Sequence, residues 1–159
     1  MNFIAVYLKK MSNKPRIQVE PQKDNKSPRV FIKKNGENIF TWAVMSNFID
    51  VSDDYWGFNM KKLRIFYGKI WSKLNHYNSM TWDQIRGCRH NHPMDINVLS
   101  KDFISRINTI FGENSPETLW QLDIDGKHRI WGCRVENVFY VMFDDQQHKG
   151  YPVEKKHSH

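Results

Sequence analysis

Apolar and polar positions alternate along the last third of the chain and recur at helical steps in its middle. The runs LWQLDI, KHRIWGCRV and VFYVMFD are rich in β-branched and aromatic residues, and Asp125-Gly126 and Glu136-Asn137 separate them. Two-residue links of this kind close tight hairpins, so the spacing predicts a three-stranded antiparallel meander. VFYVMF is apolar throughout instead of alternating, which predicts a strand covered on both faces. With both links tight, Val135 pairs with Val138 and Ile124 with Lys127. Arg129 then lies opposite Asp144, and His128 lies between Asp123 and Asp145. Such a group is either an exposed cross-strand charge cluster or a set of titratable side chains at a site on the end of a sheet.

Over residues 59–77, Leu63, Phe66, Tyr67, Ile70, Trp71 and Leu74 recur in steps of three and four, while Lys61, Lys62, Lys69 and Lys73 fall outside their stripe. The pattern predicts a helix whose apolar face packs on the sheet, with Gly68 allowing close approach. Ser79 is the expected cap of a short helix over 81–86, and Lys101–Phe111 forms a further helix ended by Gly112. Upstream, Asn35-Gly36 between RVFIKK and ENIFTWAV predicts a hairpin with strands near 29–34 and 38–45. Residues 46–58, with Asp50, Asp53 and Asp54, form a loop, and residues 11–29, with three prolines, form an extended arm.

These elements define an α+β fold: an antiparallel sheet with a C-terminal three-stranded meander, two or three helices on one face, and an N-terminal hairpin and basic arm. The expected organisation is a partly extended arm over 1–28, a single domain over 29–152 and a polar tail over 153–159. A chain of 159 residues buries roughly two-thirds of its unfolded surface without staples. Its two cysteines, Cys88 and Cys133, are unpatterned and read as reduced thiols. Lys9 and Lys10 interrupt the apolar start MNFIAVYL, which predicts neither a signal peptide nor a membrane span and hence a cytoplasmic protein.

The net charge of +7 is concentrated. Residues 1–34 carry nine Lys/Arg against two acids, and residues 60–92 carry seven against Asp83 alone, while 35–59 and 93–126 are each net negative by four. Clustered positive charge attracts polyphosphate backbones, although solvated lysines on a surface helix give the same signature. The RNA-binding candidates are Lys61, Lys62, Lys69, Lys73, Arg86, Arg129, Arg134 and Lys149.

Candidate chemistry falls in two places. RGCRHNH brings together Arg86, Arg89, His90 and His92, and DDQQHK brings His148 and Lys149. Cleavage of RNA without a metal needs a base for the 2′-hydroxyl, an acid for the leaving 5′-oxygen and a cation for the phosphorane, which His and Arg/Lys side chains supply. His92, His148, His90 and Arg89 are therefore the catalytic candidates. The same His residues also suit a polar loop and a strand-end surface. Cys88, His90, His92 and His148 lack the paired spacing of a zinc site, and no glycine-rich phosphate loop is present, so neither metal nor cofactor is expected. Trp82, Trp120 and Trp131 are expected in the core, whereas Tyr55 and Trp56 are candidates for stacking on a partner.

The helix over 60–77 followed by HRIWGCRVENVFYVMFDDQQHK resembles the RelE/ParE superfamily of small toxins across residues 60–150. KPRIQVEPQKDNKSP, MTWDQIRG and FYVMFDDQQHKGYP also resemble a group of uncharacterised bacterial proteins associated with mobile elements. The RelE resemblance implies mRNA cleavage on the ribosome and an antitoxin partner, with Arg129, Arg134, His148 and Lys149 in comparable places. The N-terminal third, the HNH tripeptide and the Asp144-Asp145 pair depart from that pattern. Two functions follow: a toxin-like endoribonuclease, or a nucleic-acid-binding or protein-interaction module without chemistry.

Overall fold

The computed structural model describes residues 38–47 and 49–151, all within one compact unit. The basic arm, the first strand of the N-terminal hairpin with its Asn35-Gly36 turn, and the polar tail lie outside these residues. Five strands, β1 (Thr41–Val44), β2 (His92–Asp95), β3 (Thr118–Asp125), β4 (His128–Val135) and β5 (Val138–Asp145), form one sheet in the order β1-β5-β4-β3-β2. The expected meander is β3-β4-β5, closed by Gly126 and Glu136 at positive φ. The class is α+β.

The sheet is mixed instead of wholly antiparallel. β1 joins the far edge parallel to β5, with Thr41 paired to Val138. The intervening helices carry the chain back across the sheet before β5, as a parallel pair requires.

Residues 60–77 form one helical run that starts as a 3₁₀ turn at Met60–Lys62, capped by Asn59, and widens to a π turn over Phe66–Ile70. A stripe in steps of three and four cannot stay on one side of a π turn, whose wider repeat rotates the residues after it. Ile70 and Leu74 are buried, but Tyr67 is 62% and Trp71 43% exposed. Gly68 also faces outward, with open space where a Cβ would stand, so the close helix–sheet approach expected there is absent. This run is α1.

Thr81, not Ser79, caps the next helix, α2 (Trp82–Gly87). Its hydroxyl accepts the Gln84 N–H at 3.2 Å, and its own N–H donates to the Gln84 side chain at 2.8 Å, a reciprocal capping box. The third helix, α3, spans Lys101–Phe111 as expected, from a Ser100 cap to Gly112 at φ +56°.

The helices pack on both faces of the sheet, not on one. On the first face, Ile70, Leu74 and Tyr77 of α1 and Trp82 and Ile85 of α2 share a core with Leu122, Ile130, Phe139 and Val141. On the second, Phe103 of α3 packs against Trp131 (5.3 Å between centroids) and Phe143 (5.2 Å). The fully apolar β5 is thus covered on both sides, and Trp82, Trp120 and Trp131 are core residues. The loop before α1 is tied to α3: Arg106 donates from Nε and Nη2 to the two carboxylate oxygens of buried Asp50, both at 2.7 Å, which holds the Asp50 carboxyl below its usual range against the opposing effect of burial. No helix of the described residues is long and apolar enough to cross a membrane.

Candidate functional site

Two bulges decide what meets at the strand ends. One falls between Trp131 and Gly132 of β4, leaving Met142 unpaired, and the other lies at Ile124 of β3. Each slides the pairing by one residue. Arg129 therefore stands opposite Asp145 instead of Asp144, and its Nη1 pairs with Asp123 at 2.5 Å. His128 bonds Asp144 (Nε2 to Oδ1, 2.5 Å) instead of lying between Asp123 and Asp145. Asp125, not Lys127, closes the β3–β4 turn, opposite His128. The group is not an exposed charge cluster either. Asp144 and Asp145 are fully buried, and Arg129 and His128 are 4% and 7% exposed.

Because successive strand residues point to opposite faces, the shifted register sorts these groups into two sets. On the first face, Asp144 accepts from His128, from the Gln146 side chain at 2.8 Å and from Lys62 at 3.4 Å. This network is closed and structural, and it takes Lys62 away from any RNA surface. On the second face, Asp123, Arg129, Gln121 and His92 line one end of the sheet, with His92 the cross-strand partner of Gln121.

His148 reaches the same place from the segment after β5. Asp145 holds that segment, accepting the N–H groups of Lys149 (2.9 Å) and Gly150 (2.8 Å), and His148 between them adopts φ +57°. This left-handed conformation is uncommon for a residue with a Cβ and costs energy that the surrounding bonds offset. The His148 Nε2 meets the Gln121 Oε1 at 3.1 Å. Gln121 donates its Nε2 hydrogen to the His90 carbonyl at 3.1 Å, an oxygen that only accepts, so its Oε1 faces His148 and the His148 Nε2 must carry the hydrogen. The neutral ring then presents an unprotonated Nδ1, which has no hydrogen-bond partner among the described residues. Burial holds the His148 imidazole below its usual range, and the Arg129 cation and the neighbouring His90 and His92 push the same way, against the Asp145 carboxylate.

The imidazoles of RGCRHNH and DDQQHK are thereby brought together, with Arg129 as their neighbouring cation. Arg129 is held through Nη1 by Asp123 and by the carbonyls of Gly126 (2.8 Å) and His128 (2.9 Å), while its Nε is buried without a partner. Arg129 was grouped with the RNA binders on charge alone; a β3 partner residue and a bulge, neither visible as a motif, give it this position. Gln121 had no chemical signature in the sequence. Arg89 is exposed in the turn after α2, and no contact ties it to His148.

The other basic candidates are dispersed. Lys61 pairs with Asp54 at 3.4 Å and Lys69 with Asp125 at 3.0 Å, both on the surface. Lys73 stands over the Tyr77 ring. Arg134 stacks on Trp82 at 4.3 Å and on Trp120 at 5.6 Å, so it serves the core, while Arg86 is exposed beside it. Lys149 lies over the Tyr55 ring at 5.0 Å. Trp56, expected to be available to a partner, is instead buried and stacked on Phe103 at 4.5 Å. Beside His148 opens a groove of about 690 Å³ with Tyr55, Tyr151, Lys127, Lys149, Ser100 and Asp102 in its walls. Among the described residues, no group of three His, Cys, Asp or Glu side chains is placed to hold a metal ion.

No curated protein and no solved structure matches the chain. Residues 29–159 match the model of a protein family described as Uncharacterised protein UU032, and the chain belongs to that family.

Proposed function

We propose that this protein is a toxin-like endoribonuclease that cleaves RNA by acid–base chemistry at the His148 cluster. The observation that carries this is the meeting of His148, in a defined tautomer, with His90, His92 and Arg129 around Gln121. The His148 Nδ1 takes the proton of the ribose 2′-hydroxyl, whose oxygen attacks the adjacent phosphorus. A protonated His92 or His90 gives its proton to the leaving 5′-oxygen, and Arg129 offsets the negative charge that builds on the phosphorane. A 2′,3′-cyclic phosphate and a free 5′-hydroxyl result. A general base needs a free lone pair near its working pH, which a depressed imidazole pKa supplies.

The RelE/ParE resemblance extends this to mRNA on the ribosome, in the cytoplasm, with an antitoxin protein as partner. The test is controlled expression in a bacterial host, following growth and mRNA integrity after induction. Growth arrest with mRNA cleavage that His148→Ala abolishes is expected. Arrest with intact RNA overturns the cleavage chemistry. In that case the exposed Arg86 and Arg89 favour the second function, a nucleic-acid-binding module.

A further inference from the structure

We infer that the groove beside His148 is a nucleotide subsite, which binds one base and one phosphate of single-stranded RNA next to the bond being cut. The inference rests on the proposed cleavage site and names its substrate class. His148 and Lys149 line the groove, so a strand whose ribose meets the imidazole must continue along these walls. The volume, about 690 Å³, lies within the range of small-molecule sites.

The walls match the parts of a nucleotide. Lys127 and Lys149 have no carboxylate partner within ion-pair distance among the described residues, whereas Lys61, Lys62 and Lys69 on α1 all have one. Asp102 is the opposing charge in the groove, so the two lysines leave a net positive wall. The carboxylates beneath are already engaged: Asp144 by His128, Lys62 and Gln146, and Asp145 by the Lys149 and Gly150 N–H groups. Tyr55 and Tyr151 supply aromatic surface, and Tyr151 has no ring partner among the described residues. The Tyr55 hydroxyl is buried without a hydrogen bond, and burial with the nearby Asp145 and Asp144 pushes it up to about 12, so it remains a neutral donor. Cations interleaved with aromatics bind single strands, because every base has a π-face and an A-form duplex keeps its bases stacked inside.

The probe is a short, fluorescent 2′-O-methyl oligoribonucleotide, which cannot be cut, titrated into the full-length protein as single strand and as duplex. Single-strand affinity should fall about ten-fold in Tyr151→Ala, as loss of one stack predicts. It should fall several-fold in Lys127→Ala/Lys149→Ala, with a salt slope shallower by about 1.4 for two lost phosphate contacts. Arg64→Ala, an exposed cation on α1, controls for net charge, and the thermal midpoint of each variant confirms folding. Binding of the duplex as tight as the single strand, or affinity and slope unmoved by these substitutions, overturns the subsite. Cleavage of unmodified RNA separates the two ideas. Cleavage whose KM ignores the groove variants leaves the nuclease standing without this subsite, whereas groove-dependent binding with no cleavage leaves the subsite standing without the nuclease.

Discussion

His148 combines three properties that rarely coincide at a surface histidine: a left-handed backbone, a tautomer set by a fixed amide, and an imidazole held below its usual range. Replacing it with Ala is expected to lower the single-turnover cleavage rate by about 10²-fold or more, since a general base contributes that much, while the thermal midpoint stays close to the parent's. His92→Ala should behave alike, and a variant pair that keeps full activity rules out both roles. The depressed pKa also sets a pH dependence. The folded imidazole binds fewer protons than the unfolded one as pH falls through about 6.5, so its stabilising contribution is present above that value and is lost as pH falls towards the folded pKa. Urea midpoints measured from pH 8 to pH 5 should therefore fall further for the parent than for His148→Gln. The acidic limb of kcat/KM should lie below 6.5 for the same reason.

At the scale of elements, β4 depends on a glycine at its bulge. A Cβ on Gly132 would stand 2.0 Å from the Tyr140 carbonyl oxygen and 2.8 Å from the Phe139 ring, and neither backbone nor a buried ring yields easily. Gly132→Ala is expected to cost about 1–3 kcal/mol in denaturant titration, the range for overpacking. Because this bulge sets which residues face each other at the strand ends, the variant should also lose cleavage beyond what its stability loss explains. The loop before α1 hangs on a second feature. Arg106→Ala leaves the Asp50 carboxylate buried with only its bonds to Ser52 and Asp53, so a loss of about 3 kcal/mol is expected. A loss under about 1 kcal/mol would mean that Asp50 is readily hydrated in the variant.

For the whole molecule, the paired lysines limit how much a net charge of +7 contributes to RNA affinity. Lys61 and Lys69 already spend part of their field on Asp54 and Asp125, exposed pairs that are individually weak. Binding should still weaken with salt, at about 0.7 counterion per neutralised phosphate of a single strand, and a flat response between low and physiological salt contradicts an electrostatic grip on the backbone. Acid–base cleavage should persist in EDTA. Loss of cleavage in EDTA, restored by a divalent cation, assigns the chemistry to a metal instead of His148.

The existence and type of the elements were legible in the chain because they depend on local chemistry. Asp125-Gly126 and Glu136-Asn137 mark the meander, Gly112 ends α3, and an unbroken apolar VFYVMF belongs to a doubly covered strand. The two His-bearing segments were also legible, as residue types suited to proton transfer. Their meeting was not, because His92 and His148 are distant in sequence and are joined by Gln121 on a strand between them, a residue with no catalytic signature. Nor was the register. A bulge costs the ladder one residue and leaves no mark in the hydrophobic pattern, since Trp131 and Gly132 are as compatible with a regular strand as with a broken one. The π turn in α1 and the division of helices between two faces escaped for a related reason: the same stripe of apolar residues satisfies more than one packing. Local sequence thus determined which segments are strands and helices, while non-local packing alone decided which carboxylate holds Arg129 and which imidazoles share one end of the sheet.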